Sequence, residues 1–336
     1  DWRLTAIDSA TENIDLQTFL WGLDTAGMLV LEHLIKAADR GVVVRILIDD
    51  TFLISEDDAL LALQEHPNIE YRVFNPHQRR SNSFLTRQIL NLGEFKRLDH
   101  RMHNKVMVVD NRIAIVGGRN LADEYFGLHE TANFRDLELL IGGPITLEIS
   151  TAFDNYWNNP WSFPIERIAH IKSSPVKLDK ILQIRDKHVH IHSEGTTEVR
   201  LRRWQSLLAD AETGRATLFV DEPPASSLAN QEPVFREVAN ELIALFEDAQ
   251  EDIWIVSAYL MPMPDLEGAV QRAVKRGVRV RILTNSIRSN NHLAAHSVYR
   301  NHINELLQHG AELHEVRVNA RDRQIYMLTP VEHKSL

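Results

Sequence analysis

The chain has 336 residues, of which 44% are apolar and 25% charged, with a formal net charge of −10 and no cysteine. That length holds two domains or one large one, and the balance is ordinary for a globular fold. Disulfides and thiolate metal sites are excluded, no apolar run approaches twenty residues, and the acidic balance argues against a general nucleic-acid binder.

Residues 1–12 read as an amphipathic helix with Leu4, Ile7 and Ala10 inward, and 14–21 as a strand. A helix over 26–40 stops at Gly41, and 42–50 is an aliphatic run of the kind buried in a sheet. Helix and strand alternate, which implies crossover connections and a mixed, mostly parallel sheet. In 82–98, Leu85, Ile89 and Leu92 fall at helical spacing among Arg79, Arg80, Arg87, Lys96, Arg97 and Arg101. Two roles are open for that basic helix: resting on an anionic membrane and admitting a lipid headgroup, or packing on the core with a solvated face.

The stretch Arg101-Met102-His103-Asn104-Lys105, the aliphatic strand 106–109, Asp110, and then Gly117-Gly118-Arg119-Asn120 carries the chemistry. His103 and Lys105 are two apart, so on a strand they share a side. An imidazole and an ammonium there suit attack on an anionic phosphodiester: the imidazole as nucleophile or acid, the lysine offsetting phosphoryl charge. Gly117 and Gly118 permit close backbone approach, Asn120 adds a neutral donor, and Arg101 is a substrate-binding candidate. Asp110 reads as structural, bonding backbone at a strand end. A polar loop covers 120–127 and a strand begins within 133–140. Asp136 either holds the His103 ring through its other nitrogen or pairs with Arg135 or Arg119.

Residues 145–157 form a helix, and Tyr156, Trp157, Trp161 and Phe163 suggest packing between domains or, less favoured, a membrane face. The connection falls within 164–214, so the domains are taken as 1–205 and 206–336. His188, His190 and His192 alternate as on a polar strand face, and 221–230 is a Pro/Ser/Ala loop. The opening order then returns: helix 239–250, strand 253–259, helix 266–276 ending at Gly277, strand 278–285. Aligning Ala37-Ala38-Asp39-Arg40-Gly41-Val42 with Ala273-Val274-Lys275-Arg276-Gly277-Val278 indicates a duplicated domain. The helix 293–308 carries His292 and His296 one turn apart without the glutamate of a zinc helix, and His296 and Tyr299 are assigned to the substrate cleft near Asn285 and Asn290. Laying the Asp49-to-His103 interval from Asn285 passes Leu336, so a second H-x-K is expected just beyond it, with 332–336 as its lead-in.

The pattern H-x-K-x(4)-D-x(6)-G-G, with asparagine two residues on, resembles the HKD signature of the phospholipase D superfamily. The wording around it, with Asp123-Glu124-Tyr125-Phe126-Gly127 and Asn133-Phe134-Arg135-Asp136-Leu137, is similar to bacterial cardiolipin synthases of the C type. The resemblance implies an α/β fold: two similar phospholipase D-like α/β/α domains whose HKD motifs meet about a pseudo-twofold. It implies no metal or other cofactor, a covalent phosphohistidine on His103, Lys105 and Asn120 as phosphate clamp, and Asp110 as the structural member. A second histidine would protonate the leaving alcohol and then deprotonate the acceptor, both states being accessible to an imidazole near neutrality. The reaction implied is phosphatidyl transfer, with phosphatidylethanolamine and phosphatidylglycerol as candidate substrates, at the inner membrane of a bacterium, peripherally or through an anchor outside these residues. The departure is the second motif, absent from the 336 residues. Competing readings are a phospholipid hydrolase, a nucleic-acid phosphodiesterase disfavoured by the charge, and a non-catalytic membrane-bound binding protein.

Overall fold

The computed structural model describes residues 2–53, 63–64, 66–79, 86, 89, 91, 100–130, 133–168, 197–224, 237–261 and 264–322. They fall into two compact units, the first mainly Asp1–Leu218 and the second mainly Phe235–Pro330. Most of the basic helix of 82–98, the histidines at 188, 190 and 192, the 221–230 loop beyond 224 and the 332–336 segment lie outside the described residues.

The first unit opens with α1 (Trp2–Ser9), β1 (Asn13–Thr18), α2 (Thr25–Asp39), β2 (Val43–Asp49) and β3 (Ile69–Phe74). It continues through β4 (Val106–Val109), β5 (Ile113–Gly117), β6 (Glu138–Gly142), α3 (Ile145–Trp157), β7 (Ser162–Pro164) and α4 (Thr197–Ala209). Its sheet runs β6-β5-β4-β1-β2-β3-β7. The alternation of helix and strand gives the parallel centre β1-β2-β3. The strands β4, β5 and β6 follow one another antiparallel on one side, and β7 is antiparallel to β3 on the other. The sheet is therefore mixed, with β1, β2, β3 and β5 running one way.

Local chemistry sets the boundaries. The Asp24 carboxylate accepts from Gly27 N at 3.0 Å and caps α2, which ends before Gly41 at a φ of 95°. Between β4 and β5 the chain reverses through Asp110 and Asn111, at φ of 51° and 53°, the residue types that tolerate the left-handed region. The strand expected within 133–140 starts only at Glu138, because Asn133 first closes its own loop, accepting from His129 N and donating to His129 O.

Two apolar layers enclose this sheet. On one face α1 and α2 bury Leu4, Ile7, Leu31 and Leu34 against Ile14, Leu16, Val44 and Ile46. Leu4, Ile7 and Ala10 are inward as expected, yet Arg3 and Thr5 are buried too, Arg3 reaching the Glu138 carboxylate. Trp2 meets Trp204 of α4 at 6.2 Å. On the other face Phe153, Tyr156, Trp157 and Trp161 pack on Leu47, Phe74 and Met102. This corrects the expectation of inter-domain or membrane packing for these aromatics: a central strand buried on both faces needs a second cover, and α3 supplies it. Arg45 crosses that layer, bonding Asp15 at 2.6 Å and Asp154 at 2.7 Å with its guanidinium 4.9 Å from the Phe153 ring.

The second unit comprises α5 (Glu237–Asp248), β8 (Asp252–Ser257), α6 (Pro264–Lys275), β9 (Arg279–Asn285), α7 (Leu293–Gln308) and β10 (Glu312–Val316). Its three strands are parallel in the order β10-β9-β8, over a core of Val270, Ala273, Val280, Ile282 and Tyr299. The order α1-β1-α2-β2 thus returns as α5-β8-α6-β9, and Gly277 repeats the left-handed stop of Gly41 at a φ of 91°. Among the described residues no helix is long and apolar enough to cross a membrane.

Asp110 ties β4 to the start of β1: its carboxylate accepts from Thr11 N at 2.9 Å, Glu12 N at 2.8 Å, Asn13 N at 3.0 Å and the Thr11 hydroxyl at 2.8 Å. Partial burial pushes this carboxyl up, and the N–H donors outweigh it, leaving its pKa below the ordinary 3.8. A depressed carboxylate stabilises the fold above its unfolded pKa and loses that contribution as pH falls through the folded one. Asp110→Ala is expected to cost about 1–2 kcal/mol in denaturant unfolding at neutral pH, with the difference from wild type narrowing as pH falls through the folded pKa of Asp110.

Candidate active site

Three segments meet at the carboxyl ends of the parallel strands, the usual location of ligand crevices in α/β sheets: the exit of β1 at Phe19, the end of β2 at Asp49, and residues 100–105 leading into β4. Asp49 is wholly buried and accepts from Met102 N at 2.9 Å, Arg101 Nη1 at 3.3 Å and Thr51 N at 2.8 Å. Burial pushes its carboxyl up, while Arg101, Thr51 and Met102 act against that. Asn75 is a second anchor, donating to His100 O at 2.7 Å and accepting from Arg101 Nη1 on its peptide oxygen at 3.1 Å. Met102 is buried beneath α3. With its neighbours fixed, His103 projects outward, its ring 4.7 Å from that of Phe19.

Lys105 points inward, 6% exposed, with Nζ donating to His103 O at 2.7 Å and lying 5.2 Å from the Phe19 ring centroid. Burial lowers its pKa to about 8, although Asp136 and Asp49 pull upward. Crowding by protein and then the Lys105 charge lower that of His103 to about 4. The pair at neutral pH is an uncharged imidazole, able to act as a nucleophile, near a mostly charged amine able to offset charge on the oxygens of a phosphoryl group under attack.

The two glycines are required by the protein's own packing, by backbone at Gly117 and by the Asp136 side chain at Gly118. A Cβ on Gly118 would lie 2.6 Å from Asp136 Cγ, and one on Gly117 2.8 Å from Glu138 Cα. Asp136 accepts from Leu137 N at 2.8 Å and, on its peptide oxygen, from Arg119 Nη2 at 3.2 Å. It lies on the Gly118 and Lys105 side of the cluster, and among the described residues no hydrogen bond joins it to His103. Asn120 is buried, accepting from Leu20 N at 3.2 Å and donating to Tyr125 OH at 2.7 Å, which ties the exit of β1 to the loop after β5. That loop also serves α2, since Asp123 accepts from Ala26 N at 2.7 Å.

His103, Lys105, Arg101, Gly117, Gly118, Asn120 and Asp136 are therefore gathered at one end of β4, whereas Asp110 stands at its other end. His296 and Tyr299 belong to the second unit. Both are buried on α7, with rings 5.6 Å apart and Tyr299 OH donating to Glu315 at 3.0 Å. Burial and Glu315 push that phenol well above its ordinary range. In the same unit Glu267, His302 and Glu305 bring potential ligand atoms within 4.8 Å of one another, and His302 Nδ1 is 2.6 Å from Glu267. Sequence reading missed Asp49 and Phe19 as parts of the site; the available signal was their place just inside and just past the ends of the first two parallel strands.

Residues 4–157 and 242–334 match the family model described as cardiolipin synthase, PLD-like domain. An uncharacterized protein of Helicobacter pylori (strain J99) is 30% identical over 96% of this chain and 64% of its own length. Cardiolipin synthase C of Escherichia coli (strain K12) is 31% identical over 94% of this chain and 66% of its own length. The chain thus spans just under two thirds of these relatives. The crystal structure of phosphatidylserine synthase from Haemophilus influenzae Rd KW20 superposes with a TM-score of 0.52 at 16% identity, covering 86% of this chain and 60% of that one, a likeness of fold. The family model takes in well over half of the residues, including the whole His103 cluster, and the chain belongs to the PLD-like family of cardiolipin synthase domains.

Proposed function

We propose that this chain carries the nucleophilic half of a phosphatidyltransferase that makes cardiolipin from a phospholipid donor, such as phosphatidylethanolamine, and phosphatidylglycerol. The observation that carries the reading is the exposed imidazole of His103, its ring against Phe19, with the buried Lys105 amine bonded to the His103 peptide oxygen. An imidazole nitrogen attacks the donor phosphorus, the P–O bond to the headgroup alcohol breaks, and that alcohol takes a proton from a second imidazole. The phosphohistidine is then attacked by the phosphatidylglycerol hydroxyl, whose proton goes to the same second imidazole, and His103 is released. Lys105 offsets the charge on the phosphoryl oxygens, and Asn120 contributes a neutral donor.

Asp136 has a different proposed role from that of a ring-orienting carboxylate: it favours the charged form of Lys105. Arg101, Gly117 and Gly118 line the phosphate position, while His296 and Tyr299 remain proposed substrate contacts of the second domain. The reading needs no cofactor, and it places the protein at an anionic bacterial inner membrane, peripherally or through an anchor outside these residues. The domain boundary expected at 205/206 is proposed to lie past α4, since that helix runs Thr197–Ala209 and packs on α1. The open setting of His103 favours one other outcome, since water reaching the same phosphohistidine would give a hydrolase.

The test uses the full-length protein with vesicles of labelled phosphatidylethanolamine and phosphatidylglycerol. Cardiolipin is expected, together with acid-trapped phosphorus on His103, and both are expected to disappear in His103→Ala. Phosphatidic acid as sole product would establish the hydrolase instead. The electrostatics add a pH signature: activity requires uncharged His103, present above a pH of about 4, and charged Lys105, lost as pH rises through about 8. The alkaline fall in kcat/KM is expected to move upward by a unit or more in Lys105→Arg, because a guanidinium stays charged.

A further inference from the structure

Among the described residues one cluster of histidine and acidic side chains converges closely enough to hold a metal ion, and it lies in the second unit. Glu267 stands in the first turn of α6, while His302 and Glu305 stand three residues apart on one face of α7. His302 Nδ1 is 2.6 Å from Glu267 Oε1 and 3.9 Å from Glu305 Oε2, and the three ligand atoms all fall within 4.8 Å of one another. The cluster is graded from core to solvent: Glu267 is buried, His302 half-buried and Glu305 exposed. The duplication shows how unusual the first of these is. The register that sets Gly277 on Gly41 sets Glu267 on Leu31, a leucine in the core of the first unit. Glu267, only 7% exposed, is thus a carboxylate at a position where the other copy buries an aliphatic side chain.

A buried carboxylate needs a cation or a full set of donors. His302 supplies one N–H, and Glu305 brings a second acid towards the same nitrogen without bonding to it. Two carboxylates closing on one imidazole repel each other, and a cation between them turns that repulsion into binding. The distances suit a small ion. Ligand atoms on a tetrahedral zinc ion, at bonds of about 2.0 Å, lie about 3.3 Å apart. Relative to His302 Nδ1, Glu267 draws back and Glu305 swings in by less than an ångström each. The exposed side of the cluster leaves the remaining position to water. Magnesium and calcium prefer all-oxygen sites, whereas an imidazole with two carboxylates suits zinc. We propose that Glu267, His302 and Glu305 bind one divalent transition-metal ion, zinc or a close equivalent, and that the ion fastens α7 to α6. His302 coordinates through Nδ1, so a proton held there is released on binding. The ion steadies the helix that carries His296 and Tyr299 and takes no part in phosphoryl chemistry at His103, so the proposal stands independently of that reading.

Zinc itself is the probe. Metal-free full-length protein is titrated with zinc against a chelating indicator, and thermal unfolding is followed with and without saturating zinc or magnesium. The same measurements are made on Glu305→Gln, whose side chain is exposed, and on His302→Ala. The wild type is expected to bind a zinc ion that raises its Tm, as any ligand of the folded state does. Each variant is expected to bind that ion at least about tenfold more weakly, since losing even an outer partner of a metal ligand costs that much. A smaller loss in either variant overturns the proposal, because the zinc would then sit elsewhere. So does a wild type that binds no zinc, a Tm that zinc leaves unchanged, or an equal rise with magnesium. Should His302→Ala fail to fold, Glu305→Gln decides alone.

Discussion

Everything at the site depends on one buried carboxylate. Asp49 closes the central strand β2 with no exposed surface, a position where an unpaired charge would cost several kcal/mol. It is tolerated because the Met102 peptide, the Arg101 guanidinium and the Thr51 peptide all donate to it. Two of those partners, Met102 and Arg101, belong to the segment that presents His103, so the fold fully satisfies this buried carboxylate only when that segment is in place. Met102, buried under Phe153 and Trp157, secures the same loop from the other side.

That anchoring also fixes the charges. A lysine as buried as Lys105 tends to lose its proton, and two carboxylates, Asp136 and Asp49, limit the loss. The same amine, with the crowding around the ring, keeps His103 unprotonated. One cation thereby does two things: it suppresses the charge of the neighbouring imidazole and, in the proposed reaction, offsets that of a phosphate. Gly118 contributes by leaving room for the Asp136 carboxylate, which explains the paired glycines through the protein's own packing as well as through access for a ligand.

Much of this was legible from the residues. The H-x-K spacing located the cluster, the aliphatic runs located β2, β4, β8 and β9, and the two Arg-Gly-Val turns revealed the duplication. What escaped notice has physical reasons. The strands β3 and β10 carry charges within them, Glu70 and Arg72 in one, Glu312 and Glu315 in the other, and show no aliphatic run. The aromatics around Pro160 resemble surface anchors until α3 is folded over the sheet. Asp136 was readable either as a ring-orienting carboxylate or as a partner of Arg119 or Arg135, because sequence gives adjacency along the chain and not the direction a side chain takes; folded, its peptide oxygen accepts from Arg119 and its carboxylate lies beside Gly118. Asp49 is one acid among 47 acidic residues, and since Asp15 and Asp50 are buried as fully, only its bonds to Met102 and Arg101 distinguish it.

The duplication also shows which features a repeat must keep. Arg45 and Arg281 each stand four residues past their left-handed glycine, at the middle of a parallel strand. In the first unit Arg45 pairs with Asp15 of the neighbouring strand and lies against Phe153 and Trp157. In the second, Arg281 pairs with Asp252 at 2.6 Å and stacks on Trp254, 3.4 Å from its ring centroid. The aromatic comes from a covering helix in one case and from the adjacent strand in the other, so its identity is not inherited. The combination is: a guanidinium flattened on an aromatic face keeps its charge weakly hydrated, and the carboxylate supplies what water would have given. An arginine on a central strand is compatible with this sheet only where both partners are present, which makes the pairing, and not any single residue, the unit the two halves share.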